Sequence, residues 1–166
     1  MVATARGDAW ACGKNDYGQL GVGERCKQSS PMRLELLCGQ RVAHLACGYD
    51  HTLCLTASDE VFAFGHNSHG ELGLGHTTNQ TSPQRVAQLS GRGITQMSCM
   101  GYHALALSER DGVLAWGKND FGQLGLGHTQ NQCAPQAVAA LQGKRVTYVA
   151  CGSYHSFVVT AADEVL

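Results

Sequence analysis

Apolar and polar side chains alternate with a period of two in short segments of this chain. The clearest is HTLCLT at 51–56, echoed by HALALS at 103–108 and HSFVVT at 155–160. In an extended strand this period puts His51, Leu53 and Leu55 on one face and the smaller Thr52, Cys54 and Thr56 on the other. Sheets built from such strands stack with the bulky side chains of one over the small side chains of the next. Segments 42–47 (VAHLAC), 94–99 (ITQMSC) and 146–151 (VTYVAC) predict a second strand, and 61–64 (VFAF) with 113–116 (VLAW) a third. A fourth is expected to begin at each of Pro31, Pro83 and Pro135, over 31–36, 83–87 and 135–139. A proline at a strand's first residue gives up no ladder hydrogen bond.

Every one of these segments recurs at a step of 52 residues without gaps. The step relates Gly13, Gly65 and Gly117, then Pro31, Pro83 and Pro135, then Cys47, Cys99 and Cys151, and finally His51, His103 and His155. The repeats are taken as 7–58, 59–110 and 111–162, with 163–166 (DEVL) opening a fourth that matches 59–62. Four short strands per unit, separated by glycine-rich turns, make one propeller blade. The expected fold class is therefore all-β: a partial β-propeller of three four-stranded antiparallel blades in an open arc. Three blades do not close around an axis, so each end is expected to leave an apolar sheet face uncovered. Self-association is expected to follow, with the 163–166 stub completing a sheet with residues 7–12 of another chain.

Composition narrows the partner classes. The formal net charge is -1 and only 15% of residues are charged, so nothing recommends a nucleic-acid or anionic-membrane partner. The 21 glycines are about twice the usual share, which requires frequent tight turns. The eight cysteines raise the question of a secreted disulfide protein. No apolar leader-like run is present in MVATARG and no stretch approaches membrane-span length, so a reducing, cytoplasmic or nuclear location is expected. Cys47, Cys99 and Cys151 then read as small buried hydrophobes, and the sequon at Asn79 as a chance match.

The most specific stretch is GKNDYGQLGVG at 13–23, repeated as GHNSHGELGLG at 65–75 and GKNDFGQLGLG at 117–127. Together with Cys47-Gly48-Tyr49-Asp50-His51-Thr52, it resembles the repeats of the regulator of chromosome condensation family over essentially the whole chain. The resemblance implies a seven-bladed propeller, of which this chain supplies three blades and a fraction. In each copy four glycines (Gly13, Gly18, Gly21, Gly23; Gly65, Gly70, Gly73, Gly75; Gly117, Gly122, Gly125, Gly127) point to positive φ or close backbone approach. Asn15, Asn67 and Asn119 are expected to hydrogen-bond the loop's own backbone, and Leu20, Leu72 and Leu124 to plug the loop into the blade. No Lys-Ser/Thr and no helix pattern follows the glycines, which argues against a phosphate cradle.

His51, His103 and His155 recur one per blade at the start of an inner strand. A shared metal would need them closer than neighbouring sheets, about 10 Å apart, allow, so a structural role is expected. His66, His69 and His76 align with loop residues of the other copies and need no special chemistry. No CxxC, GxSxG elbow or other catalytic constellation is present, so no catalytic residue, cofactor or metal is assigned. Basic turns before the 42–47 strand and its copies (Arg41; Arg92; Lys144, Arg145) fall on one rim with acidic turns (Asp59, Glu60; Glu109, Asp111; Asp163, Glu164). This rim is either a self-neutralising edge or a mixed-charge surface for a protein partner.

Within the family resembled, the functional classes are a protein-binding scaffold, a guanine-nucleotide exchange factor for a small GTPase, and the substrate-binding part of a larger ubiquitin ligase. The exchange factor's blade insertion and basic tail have no counterpart here. The family's photoreceptor uses tryptophan after the glycine of its GWRHT stretch, where this chain has Tyr49. Trp10 and Trp116 read instead as buried strand residues. The reading is thus a non-enzymatic protein-interaction scaffold. In the second copy the glycine moves by one place (Cys99-Met100-Gly101-Tyr102-His103), and a distorted turn is expected there.

Overall fold

The structure is a computed structural model that describes residues 2–3, 7–162 and 164–166. Strands β1 (Val2–Ala3), β2 (Ala9–Gly13) and β3 (Gln28–Arg33) form a first sheet. Two complete four-stranded sheets follow. One holds β4 (Val42–Cys47), β5 (His51–Thr56), β6 (Val61–Gly65) and β7 (Gln80–Arg85), the next β8 (Ile94–Met100), β9 (His103–Ser108), β10 (Gly112–Gly117) and β11 (Gln132–Ala137). The last sheet pairs β12 (Val146–Cys151) with β13 (Ser156–Thr160), and Val165 bridges Val159 on its outer edge. Every pairing is antiparallel between consecutive strands. The fold is thus the all-β open propeller segment expected from the sequence. Each covalent repeat as phased above starts on the third strand of one sheet and ends on the second strand of the next.

Three core clusters coincide with the three seams between sheets. Ala9, Ala11, Leu20, Leu34 and Leu37 meet Val42, Cys54 and Phe64 across the first seam. Leu53, Leu55, Val61 and Leu72 share the second with Met97, Ala104, Ala106 and Trp116, while Leu105, Val113 and Leu124 share the third with Val149 and Val158. Large side chains of β5 thus face the alanines of β9, and β5 is buried along its whole length. Each buried leucine contributes about 1.5–3 kcal/mol relative to exposure, so the seams are the main source of stability.

Two sequence expectations need correction. The outermost strands lie about three residues earlier than placed: Pro31, Pro83 and Pro135 are the fourth residues of β3, β7 and β11. These strands are sheet edges, where a missing N–H breaks no ladder, and each proline lies inside the register shift, between the paired residues Gln28 and Met32, Gln80 and Gln84, or Gln132 and Gln136. The segments after the prolines turn instead as 3-10 helices at Glu35–Leu37 and Ala139–Leu141. Second, Trp116 is fully buried but Trp10 is 37% exposed, because no described sheet covers the far face of β2. The same end effect leaves Cys47 exposed while its copy Cys99 is buried.

Candidate protein-interaction surfaces

The glycine loops are pinned from within by one buried asparagine each. Asn15 Nδ2 donates to the carbonyls of Glu24 and Cys26, and its Oδ1 accepts from Leu20 N at 3.0 Å. Asn67 does the same with His76, Thr78 and Leu72, and Asn119 with His128, Gln130 and Leu124. Asn79, the sequon residue, is also engaged, its Oδ1 accepting from Asn67 N at 2.8 Å. Gly70 shows why the loop is glycine-rich: its φ is +82°, and a Cβ there would overlap Cys133 Cα in the edge strand of the following sheet.

One of the recurring histidines, His103, enters a relay between sheets. His103 Nε2 lies 3.0 Å from Ser156 Oγ, which in turn donates to the glycine-loop carbonyl of Gln123 at 2.8 Å. Thr52 Oγ1 donates to the equivalent carbonyl of Gln19 at 2.8 Å. In the middle copy Ala104 replaces the hydroxyl, both ring nitrogens of buried His51 lack a partner among the described residues, and Trp116 Nε1 donates to Glu71 O at 2.9 Å instead. Burial pushes His51 down to about 3 and His103 to about 4, so both rings are neutral near pH 7. His155 is exposed, because its partner sheet would lie beyond β13.

The shifted glycine does change its turn. Met100 pairs with His103, closing a two-residue hairpin at Gly101 and Tyr102, whereas Cys47 pairs with Thr52 across four residues. This tight turn packs on the next sheet, since a Cβ on Gly101 would overlap Ser153 O.

The two ends of the strands present different surfaces. On the glycine-loop rim aromatic rings form a row. Tyr17 stands edge-on to His66 at 4.7 Å between centroids, and Tyr102 lies 5.4 Å from both His66 and His69 and 5.7 Å from Tyr49. Phe121 meets Tyr154 at 5.6 Å further along. Tyr49, Phe121 and Tyr154 are 49%, 70% and 51% exposed. Beneath the row, buried Glu71 holds His66 Nδ1 and accepts from His69 N at 2.8 Å, while Asp50 accepts from Lys14 and Gln19. His76 is turned away from this pair, its Nδ1 accepting from Thr78 N at 3.2 Å.

The opposite rim carries the charges picked out in the sequence, and several of them are engaged in ion pairs. Arg92 pairs with Asp111 at 3.1 Å, Arg85 with Glu60 at 2.8 Å, and Lys144 with Glu164 at 4.0 Å. The Asp59 carboxylate accepts from Gly93 N and Ile94 N, capping the next sheet's inner strand. Glu109 N donates to Gly93 O, fixing the acidic hairpin beside the basic turn. Arg41 and Arg145 have no side-chain partner among the described residues, and Asp163 lies outside the described residues. Burial raises the Cys99 thiol, pushes Cys54 up to about 12 and Cys151 to about 11, so none of the three is a ready nucleophile. The aromatic row was missed in the sequence. Its signal was an aromatic or histidine at position 17 of every copy (Tyr17, His69, Phe121) and a tyrosine at 49, 102 and 154.

Sheets joined through seams with one asparagine-pinned glycine loop per repeat define a propeller segment built by repetition. Residues 6–55, 58–107 and 110–159 each match the regulator of chromosome condensation (RCC1) repeat, and the chain belongs to that family. It is similar to the E3 ubiquitin-protein ligase HERC2 of Homo sapiens, 37% identical over 164 residues, which cover 98% of this chain and 3% of that protein. Among solved structures it resembles human WBSCR16 with a TM-score of 0.86 and 29% identity, over 99% of this chain and 43% of that one. Prp20p from Saccharomyces cerevisiae, described with its binding to Gsp1p and histones, shares the fold with a TM-score of 0.83 and 21% identity, over 99% of this chain and 42% of its own. The chain thus spans a small part of HERC2 and less than half of either solved chain.

Proposed function

We propose that this propeller segment is a non-catalytic protein-binding module that takes its partner on the glycine-loop rim. The observation that carries this reading is the row of aromatic rings from Tyr17 and Tyr49 through Tyr102 to Phe121 and Tyr154, three of them about half exposed or more. Exposed aromatics bring large apolar area at low conformational cost, and they are enriched in the energetic centres of protein interfaces. The charged rim of Arg41, Asp59, Glu60, Arg92, Glu109, Asp111, Lys144 and Arg145 takes the secondary place, since Glu60, Arg92, Asp111 and Lys144 are already in ion pairs and the Asp59 carboxylate is tied to backbone N–H groups. In a longer protein of the HERC2 kind, such a module would select what the rest of the chain acts upon.

The test places a photo-reactive amino acid at position 121 and, separately, at position 41, and identifies cross-linked proteins from cells. Cross-links from 121 that are lost on Tyr49→Ala and Tyr154→Ala at unchanged thermal midpoint are the expected result. Cross-links from 41 alone would move the site to the charged rim. Any small GTPase recovered is then loaded with fluorescent nucleotide, and accelerated release on mixing would replace the scaffold reading with exchange activity.

A further inference from the structure

Position 19 of the repeat places a long polar side chain beneath the aromatic row in every copy: Gln19, Glu71 and Gln123, all buried. In the first copy Gln19 Oε1 accepts from Tyr17 N at 3.0 Å, and its Nε2 donates to Asp50 Oδ1 at 2.8 Å. The same Asp50 oxygen takes Lys14 Nζ at 3.0 Å. In the middle copy the head group is itself a carboxylate: Glu71 holds His66 Nδ1 and accepts from His69 N at 2.8 Å. Each of these copies thus seats one carboxylate beside the side-chain nitrogen at position 14 of the repeat, Lys14 or His66.

The third copy has the frame of the first without its acid. Lys118 and Gln123 stand where Lys14 and Gln19 do, and Gln123 Oε1 accepts from Phe121 N at 3.0 Å. The 48–51 and 152–155 turns close with the same hydrogen bond, from Gly48 N to His51 O at 2.9 Å and from Gly152 N to His155 O at 2.8 Å. Tyr154 therefore occupies the place of Asp50. Gln123 Nε2 has no hydrogen-bond partner among the described residues, although the residue is only 5% exposed. A buried donor left unpaired is costly, and native structures hold few of them. Among the described residues the Lys118 ammonium meets only Asp120, at 3.3 Å. That pair does not fill the site, because Lys14 keeps its equivalent contact to Asp16 at 3.6 Å while serving Asp50. Every group that engages the head of Gln19 or Glu71 belongs to the glycine loop or to the turn beside it, and both are described around Gln123.

We infer, resting on the rim reading above, that Lys118 Nζ and Gln123 Nε2 form a receptor for a carboxylate that a partner protein supplies from an aspartate or glutamate side chain. The occupant's charge and shape are those of Asp50 in the first copy. Phe121 and Tyr154, edge-on to each other at 5.6 Å and largely exposed, offer apolar contact to the residues on either side of the acid. No hydrogen bond among the described residues holds the Tyr154 side chain, so its ring is free to turn outward and admit the carboxylate.

The test titrates the isotope-labelled chain with the blocked peptide acetyl-Leu-Ala-Asp-Ala-Leu-amide and with its Asn counterpart, and follows the Gln123 side-chain amide by NMR. The Asp peptide is expected to shift that amide saturably and to bind at least about tenfold more tightly than the Asn peptide, the usual worth of one charge-assisted hydrogen bond. Gln123→Glu keeps the acceptor for Phe121 N but turns the donor into a second acceptor, and Lys118→Gln removes only the ammonium; each should abolish the preference for Asp. Tyr154→Asp supplies the acid from within, as Asp50 does, and should block the peptide and slow exchange of the Gln123 side-chain amide by about tenfold. Equal binding of the two peptides, a preference that survives either Gln123→Glu or Lys118→Gln, or unchanged amide exchange in Tyr154→Asp overturns the inference. Acetate binding as tightly as the Asp peptide overturns the partner protein as source, in favour of a free acid. Cross-links from position 121 that persist undiminished in Gln123→Glu overturn the carboxylate receptor and leave the rim reading standing. An intact Asp preference with no cross-links from 121 supports the receptor and removes the rim reading alone.

Discussion

Gly70 and Gly122 occupy the same place in successive glycine loops, with φ of +82° and +77°, and differ in what lies over them. A Cβ on Gly70 would overlap Cys133 Cα and stand 2.8 Å from its side chain, whereas a Cβ on Gly122 would meet nothing within 4 Å. Replacing either by alanine puts a side chain in the left-handed region, at about 1–2 kcal/mol. Gly70→Ala adds a clash with backbone that cannot swing away, worth a further 1–3 kcal/mol or so by analogy with overpacked cores. The difference between the two variants isolates the approach of one sheet to the next loop. For a chain of this size each kcal/mol moves the thermal midpoint by roughly 2–4 °C, so Gly70→Ala should melt at least about 2 °C below Gly122→Ala. Thermal unfolding by far-ultraviolet circular dichroism, with a urea titration as a second measure, reads the gap. Equal midpoints would refute the claim that the edge strand's close approach demands glycine.

The depressed His51 and His103 set a pH dependence. Both bind fewer protons folded than unfolded, so their stability is full above the unfolded value of about 6.5 and is lost as pH falls towards 4, by up to about 1.4 kcal/mol per pH unit for each ring. Urea midpoints from pH 7 to 5 should fall, and His103→Gln should reduce the slope. Trp116→Phe strips the donor from Glu71 O and should cost about 1–3 kcal/mol, while adding Ala104→Ser should restore at least about 1 kcal/mol by serving both that carbonyl and His51. A double variant no more stable than Trp116→Phe by urea titration would rule out the relay. Arg41→Glu, which breaks no side-chain hydrogen bond or ion pair among the described residues, should leave the thermal midpoint within about 1–2 °C of the parent.

The sheets were legible in the sequence because a two-residue period and a 52-residue step report local geometry and stacking directly. The edge strands were misplaced because proline was read as a strand start. A solvent-facing edge tolerates proline in mid-strand, and only the pairing of Gly65 with Gln80 shows that the strand begins before it. Trp10 was misread for a different reason. Its copy Leu114 is buried by a neighbouring sheet, and burial of a strand face depends on whether another sheet is stacked on it, which no local pattern encodes. The charged rim was visible as residue types, but its internal pairing was not, since Arg92 and Asp111 meet only when hairpin and inter-sheet turn are folded side by side. The aromatic row escaped because its members change identity between copies.

Why recognition should fall on the aromatic rim and not on the charged one follows from what each must give up. A partner covering the charged rim has to desolvate Arg92–Asp111 and Arg85–Glu60, and buried ion pairs often return no more than they cost to strip of water. The Asp59 carboxylate is unavailable to it without undoing the cap on Gly93 and Ile94. On the glycine-loop rim several polar groups are held from below: Glu71 serves His66 and His69, and Asp50 serves Lys14 and Gln19. Beside the exposed Lys14–Asp16 and Lys118–Asp120 pairs, ring faces and edges stand outermost, and their burial releases water without stripping a buried charge. At about 25 cal/mol per Å2 of apolar surface, rings of this size supply most of the gain that a specific interface needs from its centre. The buried asparagines hold those rings on a rigid backbone, so little ordering is left to be done at the moment of binding.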